Sequence, residues 1–163
     1  MAIDRSGEIA TNLEAVRDQI SKAASIAGRA LDEITLIAVT KTFPASDVEI
    51  LRDLGVNDFG ENRDADAAPK AAAVGGTWHF QGQIQSNKLK SITSWANVIH
   101  SLDEIRHFEV IEKSAPYPLD IFCQVSLDGS AGRGGVSEQK LYELAQAIEK
   151  SATHRLQGLM AVA

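Results

Sequence analysis

A lysine at the end of an aliphatic run is the first residue of this sequence that could do chemistry. In the stretch LIAVTK, residues 36–39 are all apolar, and Lys41 follows after Thr40. Such runs are typical of parallel strands covered by helices on both faces. Because strand side chains alternate, Lys41 would share a side with Val39 and Ile37. Loss of solvation there would favour the neutral amine, which condenses with an aldehyde. The simpler interpretation is a lysine that only marks the strand end, and position alone does not decide.

Polar side chains also lie at the carboxyl ends of three further predicted strands. Asn62 ends the segment GEN, His79 lies within WHF ahead of QGQIQSNK, and Ser101 ends the segment HS. In a barrel of parallel strands these ends meet at one mouth, where barrel enzymes bind their ligands. Each residue also has a simpler explanation: Asn62 as a turn residue, Ser101 as a helix N-cap, His79 as a hydrogen-bonded core histidine, and Glu61 with Arg63 as a solvated pair.

The apolar spacing predicts six strands that alternate with helices. The helices are predicted in residues 8–30, PASDVEILRDLG, DADAAPKAAAV, SNKLKSITSWA, SLDEIRHFEVIEK and SEQKLYELAQAIEK, and the strands in EITLIAVTK, VNDFGEN, TWHFQG, NVIHS, PLDIFCQV and LQGLMAVA. Two helices carry candidate capping boxes, Ser46 with Glu49 and Ser101 with Glu104. This alternation predicts parallel βαβ units, in either a doubly wound sheet or a (β/α) barrel.

The length of the chain bears on the barrel interpretation. A complete (β/α) barrel has eight strands and about 250 residues, whereas this chain has 163 residues and six predicted strands. The sequence shows no repeat, linker or internal boundary. We therefore expect a single domain over residues 1–163, a (β/α)8 TIM-type barrel that is incomplete at its carboxyl end.

Composition excludes several classes of protein. The net charge of −6 argues against a general nucleic-acid binder, which would carry a basic surface. The amino terminus has no secretory signal pattern, and no apolar run reaches bilayer length, so we expect no membrane partner and a cytoplasmic location. The single cysteine, Cys123, excludes an internal disulfide framework, and its apolar surroundings predict a buried thiol.

Three other motifs were weighed. The glycine-rich stretch LDGSAGRGGVS could cradle a phosphate, but its glycines do not match G-x-G-x-x-G, so a mobile loop containing Arg133 is the preferred interpretation. The four histidines show no HExxH or paired-ligand spacing, so no metal site is predicted. No G-x-S-x-G elbow is present, which weakens a hydrolase interpretation.

Six blocks of the sequence together resemble a known family. LIAVTKTFP, FGENR, WHFQGQIQSNK, VIHSLD, QVSLDGSAGRGGV and LQGLMAVA occur in an order and spacing similar to those of the pyridoxal 5′-phosphate homeostasis protein family, the YggS/PROSC type. The similarity runs from about Leu13 to the last residue. It implies a barrel like the amino-terminal domain of alanine racemases.

The resemblance also implies the site residues. The lysine of the VTK block holds pyridoxal 5′-phosphate (PLP) as a Schiff base in that family, which here implies Lys41 as the anchor. The asparagine of GEN implies Asn62 beside the cofactor. Ser101 and Met160, the latter in GLM, would line the same mouth, and His79 is a weaker candidate behind them.

Two departures from the family pattern bear on binding. Arg133 stands where the family commonly has lysine, which puts a second amine in doubt. Family members continue for two more strands, which carry a Ser/Gly-rich phosphate cup and an arginine facing the pyridine nitrogen. A chain of this length is therefore expected to bind the cofactor weakly or not at all.

The expected function is a PLP carrier that maintains intracellular PLP homeostasis without catalytic turnover. Its partners would be PLP and PLP-dependent apo-enzymes, and we expect a monomer. Racemases of this fold use a tyrosine from a second domain, and the loop and helix positions of Tyr117 and Tyr142 do not predict a replacement. The alternatives are a PLP-dependent, racemase-like enzyme and a (β/α) fragment that acts only as a folding or interaction unit.

Overall fold

Six strands alternate with helices along the chain, as the sequence predicts. The computed structural model describes residues 4–129 and 134–162. The strands are β1 (Ile37–Val39), β2 (Asp58–Glu61), β3 (Thr77–Phe80), β4 (Val98–Leu102), β5 (Asp120–Val125) and β6 (Arg155–Ala161). The helices are α1 (Arg5–Ala27), α2 (Ala45–Asp53), α3 (Asp64–Ala73), α4 (Leu89–Ile92), α5 (Ile105–Ser114) and α6 (Glu138–Glu149), with short 3₁₀ helices at Leu31–Glu33 and Ser86–Lys88.

The strands form one parallel sheet in the order of the sequence, β1-β2-β3-β4-β5-β6. A doubly wound sheet reverses its strand order at a switch point, whereas a (β/α) barrel adds each strand beside the previous one. The order therefore selects the barrel from the two architectures that the sequence left open. The six described strands form part of a TIM-type barrel. Because they are parallel, their carboxyl ends lie at the same end of the barrel, which we call the mouth.

The hydrophobic core lies between the sheet and its helices. The strands contribute large side chains that are almost completely buried, and the helices cover them with aliphatic and aromatic residues; the main members are Phe59, Trp78, Phe80, Ile99, Ile121, Val48, Ile92, Phe108, Ile111, Leu144 and Ile148. The helical pattern of α6 is confirmed, since Leu144 and Ile148 are buried and Leu141 packs against the core.

The first strand is more exposed than its aliphatic sequence predicts. Ile37 and Ala38 are only half-buried, and the Val39 side chain is 48% exposed. The reason is that β1 pairs with β2 alone in the described part of the chain, so β1 is an edge strand there. The expectation of a strand covered on both faces is therefore wrong for β1.

Both predicted capping boxes are also wrong. Helix α2 begins at Ala45 with Pro44 at the N-cap position, so Ser46 lies inside the helix. Ser101 belongs to β4, and Glu104 occupies the N-cap position of α5 without a side-chain capping bond. In each case the helix begins at a residue that the motif does not predict, because an S-x-x-E pattern is equally compatible with a helix interior or a strand end.

Candidate functional site

The Lys41 side chain leaves the sheet from a strained turn. β1 ends at Val39, Thr40 continues the ladder by donating its N–H to Gly60 O, and the Phe43 N–H returns to Thr40 O at 3.1 Å. Within this turn Thr42 has φ +70°, a backbone region that β-branched residues rarely adopt and that turns normally fill with glycine. Such strain is concentrated at functional sites. The turn therefore marks Lys41 as a candidate for chemistry on structural grounds.

The Lys41 ammonium is available for chemistry. The residue is exposed, and within the described part of the chain its side chain has no hydrogen bond or ion pair. The exposure of Lys41 contradicts the desolvation that the aliphatic strand predicts.

A buried ion pair lies directly behind the turn. Lys70 of α3 donates to Glu61 Oε1 at 2.6 Å and to the carbonyl oxygen of Thr40 at 2.8 Å, and the Thr40 hydroxyl donates to the same Glu61 oxygen at 2.7 Å. The Glu61 side chain is fully buried and that of Lys70 is 10% exposed. We call Thr40, Glu61 and Lys70 the buried triad. It ties the carboxyl ends of β1 and β2 to α3, one residue before Lys41.

The sequence interpretation missed this triad. The sequence allows Glu61 and Arg63 to form a solvated pair, whereas the structure shows a buried Glu61 carboxylate that pairs with Lys70. Lys70 is the only lysine in the alanine-rich helix α3, which is the one signal that could have suggested a special role. Nothing in the sequence shows that this lysine reaches back to the strand end.

Asn62 and Ser101 meet at the loop that follows β3. The Ser101 hydroxyl is buried and donates to the carbonyl oxygen of Gly82. A Cβ atom added to Gly82 would lie 2.1 Å from the carbonyl oxygen of Asn62, so only glycine permits this approach. The ends of β2, β3 and β4 are thereby held together, and both predicted residues lie at the mouth with Lys41. The Asn62 residue itself is exposed.

His79 lies one layer deeper than the mouth. It is level with Gly60, two residues before Asn62. Its Nε2 lies 3.0 Å from Asp58 Oδ1 and its Nδ1 lies 2.9 Å from His100 Nε2. If His79 Nε2 donates its proton to Asp58, His79 Nδ1 is an acceptor. His100 Nε2 then carries the proton of the hydrogen bond between the two rings. The structure thus shows a hydrogen-bonded histidine pair in the sheet interior, which is compatible with a supporting role behind the mouth.

His100 is held in its neutral form. Its ring stacks on Phe122 with centroids 4.8 Å apart. Burial, followed by the neighbouring His79, lowers the pKa of His100 to about 4. The His100 ring is therefore uncharged near neutral pH.

Met160 lies on the opposite edge of the sheet from Lys41. It pairs in register with Gln124, near the carboxyl end of β6, and is half-buried. β6 pairs with β5 and β1 pairs with β2 in the described residues. Met160 and Lys41 therefore both lie at the mouth end of the sheet, but at opposite edges of it.

The sequence also singles out a cysteine, two tyrosines and Arg133. Cys123 is buried, as expected, and burial raises the pKa of its thiol to about 11. Tyr117 packs against the core from a loop, and Tyr142 is exposed on α6. Arg133 and the centre of the glycine loop lie outside the described residues.

Comparison with known proteins settles the family. The family model described as alanine racemase, N-terminal domain, matches residues 11–163. The chain belongs to the alanine racemase N-terminal-domain family. Two curated relatives, both named pyridoxal phosphate homeostasis protein, come from Mycobacterium leprae and Escherichia coli. They are 33% and 36% identical to this chain and cover 98% and 95% of it, and the alignments span 71% and 70% of the relatives' lengths.

Solved structures agree with this family assignment. A protein of unknown function from Bifidobacterium adolescentis superposes over 100% of this chain and 72% of its own, with a TM-score of 0.85 and 27% identity. PipY of Synechococcus elongatus, solved with PLP bound, superposes over 88% of this chain and 70% of its own, with a TM-score of 0.74 and 27% identity. The alanine racemase N-terminal-domain fold is thus confirmed by both sequence and structure.

Membrane insertion through a helix is not indicated. Within the described residues, every helix is too short or too polar to cross a bilayer.

Proposed function

We propose that this chain binds PLP through Lys41 and serves PLP homeostasis as a carrier. The observation that carries the proposal is the position of Lys41, whose amine is unpaired among the described residues and projects from a strained turn at the barrel mouth. Two relatives are named for PLP homeostasis, and a structural neighbour was solved with PLP bound. These comparisons support the ligand class, and the geometry supports the anchor.

The residues present supply a covalent anchor and part of a mouth for such a ligand, so we expect weak binding through the anchor. The Lys41 amine would attack the aldehyde carbon and water would leave, so that a Schiff base joins the two. The buried triad holds the backbone at Thr40 and so limits where the Lys41 side chain can reach. Asn62 and Ser101 would line the mouth beside Lys41, and Met160 would approach the ligand from β6. His79 would support these residues from the next layer of the sheet.

A role without turnover follows from the same residues. Racemisation needs an acid or base on the face of the substrate opposite the lysine. Neither Tyr117 nor Tyr142 lies at the mouth, and His79 is engaged on both ring nitrogens. These positions favour a single domain that binds and releases PLP, supplying apo-enzymes, over a racemase-like enzyme.

Absorbance titration with PLP tests the binding proposal. Wild type and Lys22→Ala, which removes an exposed lysine of α1, should develop the same Schiff-base absorbance band, whereas Lys41→Ala should not. Equal bands in wild type and Lys41→Ala would overturn the assignment of the anchor.

Turnover is tested separately. The PLP-loaded chain is incubated with L-alanine and other L-amino acids, and the D-enantiomer is followed by chiral chromatography. The carrier proposal predicts no sustained formation of D-amino acid. Repeated turnovers that depend on Lys41 would establish the racemase-like alternative instead.

A further inference from the structure

Three potential metal ligands converge at the start of α5, outside the residues of the proposed PLP site. Asp103 and Glu104 precede the helix and His107 lies in its first turn. One ligand atom from each of the three residues lies within 4.8 Å of the other two. An imidazole nitrogen with two carboxylate oxygens is a donor set that first-row divalent transition metals accept.

The histidine of this cluster has an unsatisfied nitrogen. The His107 side chain is 4% exposed, and its Nε2 lies 3.1 Å from Ser86 Oγ. Its Nδ1 is buried and has no hydrogen-bond partner among the described residues. The Asp103 carboxylate lies 3.7 Å from Nδ1, beyond hydrogen-bond distance. Buried polar atoms normally find a partner, so this nitrogen is a second observation that points to a ligand.

One of the two tautomers that the contact with Ser86 permits would favour a cation at Nδ1. If Nε2 carries the proton and donates it to the serine, Nδ1 presents a bare lone pair towards a carboxylate. Two electron-rich groups then face each other, and only a cation or a proton between them relieves the contact. Metal-bound histidines commonly fix their tautomer in this way, through a hydrogen bond from the second ring nitrogen.

We propose that Asp103, Glu104 and His107 bind a divalent transition metal ion of the Zn²⁺ class. Three protein ligands leave the remaining coordination positions for water. A cavity of about 350 Å³, lined in part by Asp103 and Glu104, opens beside the cluster and would admit both the ion and its waters. The imidazole ligand selects against Mg²⁺, which prefers oxygen ligands.

The neighbouring charges are compatible with this site. Asp103 Oδ2 accepts the Gly135 N–H at 3.0 Å, which fixes the carboxylate while Oδ1 points towards His107. Arg106 donates a hydrogen bond to Glu104 and thereby lowers the pKa of that carboxyl group. The Arg106 side chain is 69% exposed, and exposed ion pairs contribute little. Glu104 would therefore lose little binding free energy if it left Arg106 to coordinate an ion.

The sequence predicts no metal site, because its four histidines lack the paired spacing of common metal motifs. The pattern here is Asp-Glu-x-x-His, with one histidine one helical turn after the carboxylates. The proposal is independent of the proposed PLP function, because metal affinity can be measured without the cofactor.

The test is competition between the full chain and a chromogenic chelator for Zn²⁺, with Mg²⁺ as the comparison ion. Glu109→Gln, which removes an exposed carboxylate of α5, is the matched control. Wild type and Glu109→Gln should bind one Zn²⁺ with equal affinity and should not bind Mg²⁺ comparably. Ser86→Ala should weaken Zn²⁺ binding about 10-fold, and Asp103→Asn and His107→Gln by at least as much.

Substitution of Co²⁺ for Zn²⁺ gives an independent readout. Its visible absorption should indicate a nitrogen–oxygen ligand set in wild type and should change in His107→Gln. If circular dichroism shows that His107→Gln does not fold, the Zn²⁺ affinities of Asp103→Asn and Glu104→Gln test the site instead. Their side chains are less buried than that of His107. Absence of Zn²⁺ binding in wild type, or Asp103→Asn with the affinity of Glu109→Gln, would overturn the proposal.

Discussion

Two lysines near the end of β1 have opposite surroundings. Lys41 is exposed and unpaired within the described residues, and it lies in a turn with a positive φ. Lys70 is buried and donates to a carboxylate and to the carbonyl oxygen of Thr40. The two lysines therefore have different roles. Lys70 stabilises the backbone at Thr40, and the Lys41 side chain projects from the next residue. Reactivity is expected where the amine has no partner, and stability where it has one.

Removal of the engaged lysine should have the largest effect on stability. Lys70→Met leaves the buried Glu61 carboxylate without its counter-charge, and breaking such a pair costs about 3–5 kcal/mol. Urea unfolding of this variant and of Lys90→Met, an exposed lysine of α4, measures the difference. The control should change the free energy of unfolding by less than about 0.5 kcal/mol. Similar losses in the two variants would contradict the role of the buried triad.

The close approach of Gly82 to Asn62 gives the next largest effect. Gly82→Ala would place a methyl group 2.1 Å from the Asn62 carbonyl oxygen, so the backbone must shift. We expect a loss of about 1–3 kcal/mol together with weaker PLP binding, because Asn62 moves. In Gly75→Ala the new methyl group meets only the flexible end of Arg52, and stability should change little. If both variants unfold at the same urea concentration, the contact does not constrain the mouth.

The histidine layer beneath the mouth should make stability depend on pH. The pKa of His100 is about 4 in the folded chain, below its ordinary value of 6.5. The unfolded chain therefore binds a proton more readily, and stability falls as the pH decreases from about 6.5 to about 4. In His100→Gln, which keeps a donor for His79, the fall over this interval should be smaller than in wild type. Equal slopes in thermal unfolding would show that His100 does not contribute.

The strained turn gives the smallest expected effect. Thr42→Gly removes the cost of a positive φ and should leave stability unchanged or raise it by up to about 1 kcal/mol. The same substitution at Thr35, which is exposed and lies outside the positive-φ region, should destabilise by about 0.5–1 kcal/mol. Chemical denaturation compares the two. Equal destabilisation would mean that the Thr42 backbone is not strained.

Local patterns predicted the fold better than they predicted the site. Aliphatic runs and amphipathic spacing located all six strands and the long helices, because those signals depend on which residues face the core. The strand pattern placed Lys41, Asn62 and Ser101 at predicted strand ends, and the structure places them at the carboxyl ends of β1, β2 and β4. The pairing of Glu61 with Lys70 was not predictable, since it depends on how α3 returns to the sheet. Nor was the exposure of Val39, which depends on the position of β1 at a sheet edge.

Reductive trapping tests the difference between the two lysines most directly. The chain is incubated with PLP, reduced with borohydride, digested and analysed by peptide mass spectrometry. Reduction captures weakly held ligand as well, so the test does not require tight binding. We predict an adduct at Lys41 and none at Lys70, with the Lys41 adduct lost in Lys41→Ala. Label at Lys70, or label spread equally over the exposed lysines, would contradict the account.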